Sequence, residues 1–551
     1  MNPIVERILE IRGISDKARE QFLNPSLSRL ANPVDLPGIR EAGEVVLSAV
    51  TARRRIVIFG DYDCDGICAT AILSRTLRAL GGKVAEFIPS RQNEGYGMSD
   101  ASVARMLKEN PDVGLIVTVD NGINSISQVA ELKAKGIAVV ITDHHLPSYA
   151  TDAEGNPGEL LLPVADAVVD PKVSAPELLS NLCGAGVAFL LANRIMSEAK
   201  RTGLYSGLNV GGPLLIMAGL ATVTDIMPLL GQNRILVSES LKRFSTSAPM
   251  GLRELYARAA RSGYGGLTTK DFGFMLGPRI NAAGRIATAM EALELLLSDD
   301  REITRELARI IDGYNLDRKV IEQKMVDEAM SKIVDGAAAQ VIDLPDGNPG
   351  VAGIVAARVM ERLGGFSPVC VYAGGHGSAR APDGLNIRDA FVACAEVLDR
   401  FGGHAAAGGF SVKEGRIDDF RRMLCDYCAH VVAGKVEKKD ETEPELWIKP
   451  TDVTVELGEE LQKLEPYGEG NPEPVFGLKG VHLSDVKPLG ADGRHLSLTL
   501  RRPGLRAIQW NRGDLVEKLR AESAVPHDLS VTIVLSDYGE RHVELRILAI
   551  N

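Results

Sequence analysis

The run Ile56-Val57-Ile58-Phe59 is apolar at every position and passes through Gly60 into Asp61-Tyr62-Asp63-Cys64-Asp65-Gly66. A strand with no polar face must be covered on both sides, which in practice means a parallel sheet between layers of helix. The same transition recurs where residues 115–119 run into Asp120-Asn121-Gly122, and where 138–142 run into Asp143-His144-His145. Three buried strands that each deliver carboxylate or imidazole at the carboxyl end describe a crevice that collects hard divalent cations.

Other readings of these residues are weaker. An acidic turn after a strand often only caps the next helix. An EF-hand loop begins similarly but needs a bidentate Glu late in the loop, whereas Gly66 leads into the apolar stretch Ile67-Cys68-Ala69-Thr70-Ala71-Ile72-Leu73. A lone histidine pair would read as one core and one surface residue. Beside this many carboxylates, an unpaired buried cluster is costly, and a pair of cations resolves it.

At 551 residues the chain exceeds one hydrophobic core, so about three domains are expected. Seven cysteines, an odd number, make no disulfide framework, and no N-terminal apolar segment precedes a cleavage site, so a reducing, cytoplasmic compartment is expected. No apolar stretch has the length of a membrane span. A net charge of −11 excludes a protein that coats nucleic acid with a basic surface, so any polynucleotide is gripped locally. Cys425 and Cys428 have the spacing of half a zinc site, but no second pair stands at zinc-finger distance and both fall on a predicted helix over 420–432.

The predicted organisation is α/β and multidomain. Residues 1–48 are a helical lead-in wrapped on the first domain, and 49–302 a catalytic domain with a parallel sheet. Within that domain the helical stretch 187–296 is broken by Leu276-Gly-Pro-Arg-Ile-Asn-Ala-Ala-Gly-Arg285. Residues 303–338 form a long helix, a spacer or hinge, and 339–432 a smaller α/β unit rich in glycine. A charged linker over 433–446 leads to 447–551, whose short alternating strands suit a β-barrel of OB type.

Two ions a few ångströms apart hold the attacking and leaving oxygens of an in-line phosphoryl displacement. The residues assign Asp120 as bridge, Asp61 and Asp63 to one ion, and Asp65 with His144 to the other, with Asp225 closing that second shell. Imidazole beside carboxylate tilts the preference from Mg2+ toward Mn2+. The glycines at 402–409 either approach phosphate oxygens as nests or pack helix on sheet. Ser378 and Arg380, in a Gly-flanked loop, suit a terminal phosphate, and Arg91, Arg279 and Arg285 suit backbone contacts.

Together, Asp61-Tyr-Asp-Cys-Asp-Gly66, Val119-Asp-Asn-Gly-Ile123, Thr142-Asp-His-His145, Leu182-Cys-Gly-Ala-Gly-Val187, residues 276–285 and Gly402-Gly-His-Ala-Ala-Ala-Gly-Gly409 resemble the DHH phosphoesterase superfamily. Within it they look like the branch of single-strand-specific 5′→3′ DNA exonucleases, a resemblance that extends to Pro466-Tyr-Gly-Glu-Gly-Asn-Pro-Glu-Pro-Val-Phe476. It implies a DHH domain, a linking helix, a DHH-associated domain and an OB-fold. It also implies mononucleotide release from single-stranded DNA with two Mn2+ or Mg2+ ions, in recombination and mismatch repair.

Carried onto this chain, the resemblance makes Asp61, Asp63, Asp65, Asp120, His144 and Asp225 metal ligands, and puts His145 beside the scissile phosphate. Asp143 and Asp120 complete the catalytic set. Arg91, Ser378 and Arg380 would recognise the 5′ phosphate, while Arg279 and His404 would touch the strand. Implied partners are single-stranded DNA, a helicase and a single-strand-binding protein, with the chain a monomer. Cys64 replaces the alanine usual in the motif and brings sensitivity to oxidation.

Two rival readings remain. Nano-RNases and cyclic-dinucleotide phosphodiesterases share the two α/β units but generally lack the added barrel, which favours a long strand here, DNA or RNA. A non-catalytic DNA-binding scaffold would tend to have lost ligands that this chain keeps.

Overall fold

Five strands pair in parallel, the central ones largely apolar. In the computed structural model, which describes every residue except 92, 93, 96, 152–156, 206, 208–210, 261–266, 432–441, 523 and 537–539, they stand in the order Lys83–Phe87, Arg55–Phe59, Val113–Val119, Ala138–Thr142, Ala167–Val169. Numbered along the chain this is 2-1-3-4-5, so the winding reverses between the first and third strands and a crevice opens beyond their carboxyl ends. Continuous apolarity follows from cover on both faces. Ile56 and Ile58 pack with the helices Cys64–Ala79 and Gly184–Arg201, while Val57 and Phe59 pack with Asp100–Glu109 and Ile126–Ala134. All four are fully buried, worth roughly 1.5–3 kcal/mol each in removed apolar surface.

The glycine- and proline-rich stretch at 276–285 does not break the helical region. It is itself the helix Gly277–Ile286, with Pro278 in the first turn, where a missing N–H costs nothing. Its glycines are there for close approach. A Cβ on Gly277 would lie 2.3 Å from Thr224 Cγ2, and one on Gly284 2.2 Å from the Tyr62 carbonyl oxygen.

The predicted spacer is a single helix, Arg301–Ser331, about 46 Å long at 1.5 Å per residue. It is no hinge. Leu307, Ala308 and Ile311 are built into the core of the first domain, and Met325, Val326 and Ala329 into that of the next sheet.

The second sheet runs Leu398–Gly403, Ala407–Val412, His376–Arg380, Val369–Ala373, Gln340–Leu344, antiparallel except for the last pair. The third has seven strands in the order Leu446–Ile448, Phe476–Val481, His527–Ser536, His542–Ile550, Arg506–Gln509, His495–Leu500, Leu483–Leu489. Most of the expected 433–446 linker lies outside the described residues.

The lead-in divides between domains. Ile39–Thr51 packs on the first sheet as expected, but Val5, Ile8, Leu9 and Phe22 are buried in the core of the C-terminal sheet. The apolar stripe of Pro3–Ile11 fits either partner, so local pattern does not choose between them. Among the described residues no helix is long and apolar enough to cross a membrane, and no two cysteines are joined.

Candidate metal centre

The crevice at the winding reversal is lined by the strand-end carboxylates. Asp63 caps the Cys64–Ala79 helix, accepting the N–H groups of Asp65 at 3.0 Å and Gly66 at 3.1 Å. Asp65 reaches across to the start of the Gly184–Arg201 helix, where its two oxygens accept Gly184 N–H at 2.7 Å and Ala185 N–H at 2.8 Å. That helix terminus favours negative charge. A carboxylate has about four lone-pair sites, so Asp65 keeps capacity for a further ligand.

Asp120 adopts the left-handed region at φ 61°, unusual for a non-glycine residue but tolerated by Asp. Its N–H is tied to the Thr142 carbonyl at 3.0 Å, and the bend carries its carboxylate to 3.0 Å from His144 Nε2. The approach is tight: a Cβ on Gly184 would stand 2.6 Å from Asp120 Cβ.

Two groups of ligand atoms result, Asp61–Asp63–Asp120 and Asp65–His144–Asp225, each with all atoms within 4.8 Å of one another. A third group, Asp120–His144–His145, links them. His144 Nε2 also lies 3.6 Å from Asp65 and 3.7 Å from Asp225. Asp61 Oδ1 and Asp225 Oδ2 are buried with no hydrogen-bond donor.

Burial first, and then neighbouring carboxylates, raise Asp61 and Asp120 well above the usual carboxylate range and push Asp225 up to about 9. Burial also lowers His144, keeping it the neutral imidazole that a metal requires. Buried acceptors without donors, mutually repelling acids and a neutral imidazole fit hard divalent cations.

Asp143 points elsewhere. It accepts N–H groups from Ile123 at 2.9 Å and His144 at 2.7 Å, and it holds His145 Nδ1 at 2.7 Å. Burial opposes its charge, but the bond from His145 and that residue's charge keep Asp143 below its ordinary range. Reciprocally, burial disfavours charged His145, yet Asp143, Asp225 and Asp61 outweigh it and push the imidazole up to about 9.

The second α/β unit closes over this centre. His404 lies parallel to His145 at 6.3 Å between ring centroids. Ser378 and Arg380 occupy a strand, not a loop, and alternate positions put both on one face of it. Arg380 packs at the start of the Ala352–Arg362 helix, 3.1 Å from where a Gly353 Cβ would be. Arg91 lies over the Tyr62 ring at 5.0 Å, and Arg285 donates to Gly350 O at 3.0 Å, stitching the two units together. Burial and then the charge of Arg91 push Arg285 down to about 10 and lower Arg380. Such crowding of guanidinium groups suits an anion.

Two expectations change. The 402–409 glycines form no nest, because their backbones pair in an antiparallel ladder, Gly402 with Gly409 and Gly403 with Gly408. Arg279 is committed within the protein, its Nε 2.8 Å from Asp312 on the long helix and its Nη1 2.8 Å from Met275 O.

Three contributors escaped the sequence reading. Asn281 accepts the Cys64 N–H at 2.7 Å, and Gly184 makes room for Asp120. Asp170 has a buried Oδ2 without a donor and is pushed up to about 7 by burial and then by Asp143. Its signal was present: 167–169 is another apolar run ending in Asp.

Three family models match the chain: the DHH family N-terminal domain over 55–208, the DHHA1 domain over 335–430 and the RecJ OB domain over 445–548. The single-stranded-DNA-specific exonuclease RecJ of Thermus thermophilus is 35% identical over 525 residues, 94% of this chain and 71% of that protein. RecJ of Bacillus subtilis is 32% identical over 530 residues, 94% of this chain and 64% of its own length. The crystal structure of T. thermophilus RecJ in complex with Mn2+ superposes with a TM-score of 0.82 at 33% identity, covering all of this chain and 76% of that one.

Proposed function

The chain belongs to the RecJ family of DHH phosphoesterases, and from that premise we propose that it degrades single-stranded DNA from the 5′ end to mononucleotides. The observation that carries the reading is the pair of ligand groups, Asp61–Asp63–Asp120 and Asp65–His144–Asp225, joined by the 3.0 Å contact of His144 with Asp120. Two divalent cations, Mn2+ or Mg2+, held there supply charge neutralisation and water activation for in-line phosphoryl displacement.

The protein's own residues do the rest. Asp143 fixes His145 through Nδ1, so the ring presents Nε2–H to the leaving 3′ oxygen. Arg91, Ser378 and Arg380 take the 5′-terminal phosphate, with Arg285 beside them. We infer that His404, parallel to His145 at 6.3 Å between ring centroids, touches the strand where one strand is admitted in preference to a duplex. Arg279 reaches the strand only by exchanging Asp312 for a phosphate. The domain limits of 49–302, 339–432 and 447–551 divide the work into chemistry, strand closure and strand delivery.

The match to an OB domain favours a long strand over the dinucleotide taken by nano-RNases and cyclic-dinucleotide phosphodiesterases. The retained ligands disfavour a non-catalytic scaffold. We place the activity in recombination and mismatch repair, in the cytoplasm, in a monomer fed by a helicase and a single-strand-binding protein.

The test compares Mn2+-dependent hydrolysis of 5′-phosphorylated single-stranded DNA, matching RNA, blunt duplex and a linear dinucleotide, with Asp120→Ala as control. Mononucleotides from the DNA strand, with near silence from the duplex and the variant, are expected. Preference for the dinucleotide would refute the reading.

A further inference from the structure

Asp225 sits where the helix Gly211–Thr224 ends, and its neighbour Ile226 is left-handed at φ 55° and 70% exposed. A β-branched residue rarely adopts this conformation, and it persists only where its surroundings over-determine it. Within the turn, Ile226 N–H reaches Val223 O at 3.2 Å and Met227 N–H reaches Thr222 O at 3.1 Å. Asn233 Nδ2 donates to Pro228 O at 3.1 Å and Met227 packs on the first-domain core, and the C-terminal domain adds a further restraint.

There the motif Pro466-Tyr-Gly-Glu-Gly-Asn-Pro472 is laid directly on residues 228–230. Leu229 donates its N–H to Glu469 O at 2.8 Å. A Cβ on Gly468 would lie 2.6 Å from Leu229 Cδ1. One on Gly470, itself left-handed at φ 70°, would lie 3.2 Å from Pro228 Cβ.

Arg234, one turn into the helix that follows Leu230, is 2% exposed and locks the two domains together. Its guanidinium donates to Phe22 O at 2.7 Å, Glu465 O at 2.7 Å and Leu464 O at 3.0 Å, and stands 3.8 Å above the Phe22 ring. Thr269 Oγ1 donates to Tyr467 O at 2.6 Å, and Asn471 Nδ2 donates to Leu464 and Pro466 carbonyls at 2.9 Å each.

We propose that the 464–471 loop of the C-terminal domain, clamped by Arg234, is a buttress of the metal centre that holds the 225–230 turn so that Asp225 closes the second cation's shell. The proposal rests on the assignment of Asp225 as a ligand. Arg234 is then a positioning residue, and the C-terminal domain tightens the binding of one cation even when no DNA is present. A ligand set keeps its affinity only while the groups behind it stay fixed, and their loss typically costs about 10–100-fold in metal affinity.

The experiment is a calorimetric Mn2+ titration of full-length, DNA-free protein, combined with amide hydrogen exchange over 222–231. The variants are Gly470→Ala at the exposed loop, Arg234→Lys at the clamp, Asp225→Ala, and Trp510→Ala on another face of the C-terminal domain. Gly470→Ala and Arg234→Lys are expected to weaken one of two Mn2+ sites by roughly tenfold or more, to spare the other, and to speed exchange in the turn. Trp510→Ala is expected to change neither. Loop variants that melt earlier yet keep both affinities, while Asp225→Ala loses a site, would overturn the buttress alone. Two intact sites in Asp225→Ala would overturn the ligand assignment and the proposal with it.

Discussion

Gly184→Ala tests the centre without removing any ligand. The added Cβ would stand 2.6 Å from Asp120 Cβ and 2.8 Å from Oδ1. Carbon atoms rest at about 3.5–4.0 Å, so the helix terminus and the Asp120 bend must part by about 1 Å. Gly184 N–H also holds Asp65 at 2.7 Å, so the displacement reaches both cation groups. Metal sites tolerate changes of only about 0.2 Å in ligand distance. The expected result is a loss of about 10–100-fold in Mn2+ affinity, the scale seen when groups supporting a metal site are removed. Stability should fall by roughly 1–3 kcal/mol, the cost of overpacking, because Gly184 opens its helix and gains little of the advantage Ala has in a helix interior. Calorimetry with Mn2+, a thermal melt and hydrolysis of 5′-phosphorylated single strands give the three readouts. A variant with normal melting and Mn2+ affinity within about twofold of the parent, a difference below ~0.5 kcal/mol, would refute the reasoning.

Three further outcomes are expected. Asp61, Asp120 and Asp225 are acids raised in the folded state, and His145 is a base raised to about 9, so the folded chain binds more protons than the unfolded one from about pH 4 to about pH 9. Metal-free protein should therefore melt at lower temperature at pH 8 than at pH 6, with a larger gain from Mn2+ at pH 8; calorimetric melts giving the opposite order would count against this centre. Asp143→Asn should lower kcat by about 100- to 10,000-fold while leaving Mn2+ affinity intact, since it removes the carboxylate charge that fixes and charges His145 and no member of the cation groups. Arg380→Met should raise KM for a 5′-phosphorylated strand by roughly tenfold or more, the value of a charge-assisted hydrogen bond, and leave a 5′-hydroxyl strand nearly unaffected in steady-state kinetics.

The strands were legible because a central parallel strand buries both faces, and the run at 56–59 therefore has no polar alternation to obscure it. The carboxylates were legible for the same reason, since a buried strand must surface at its end. Glycine and proline were harder to read. At 276–285 they look like breakers on propensity alone, whereas Gly277 and Gly284 answer to Thr224 and Tyr62, more than fifty residues distant in sequence. At 402–409 glycine's small size serves a paired ladder, which a phosphate nest would resemble in composition. Arg279 carries no mark of its partner Asp312, and the Pro3–Ile11 helix none of the sheet it covers. Such choices are made by tertiary contact, which an isolated window does not contain.

A pair of cations held between Asp120 and its neighbours is the feature on which the proposed chemistry depends. Anomalous diffraction from crystals grown with Mn2+ tests it most directly. Two peaks are predicted, one among Asp61, Asp63 and Asp120 and the other among Asp65, His144 and Asp225, with Asp120 touching both. A single peak, or manganese bound away from these side chains, would contradict it.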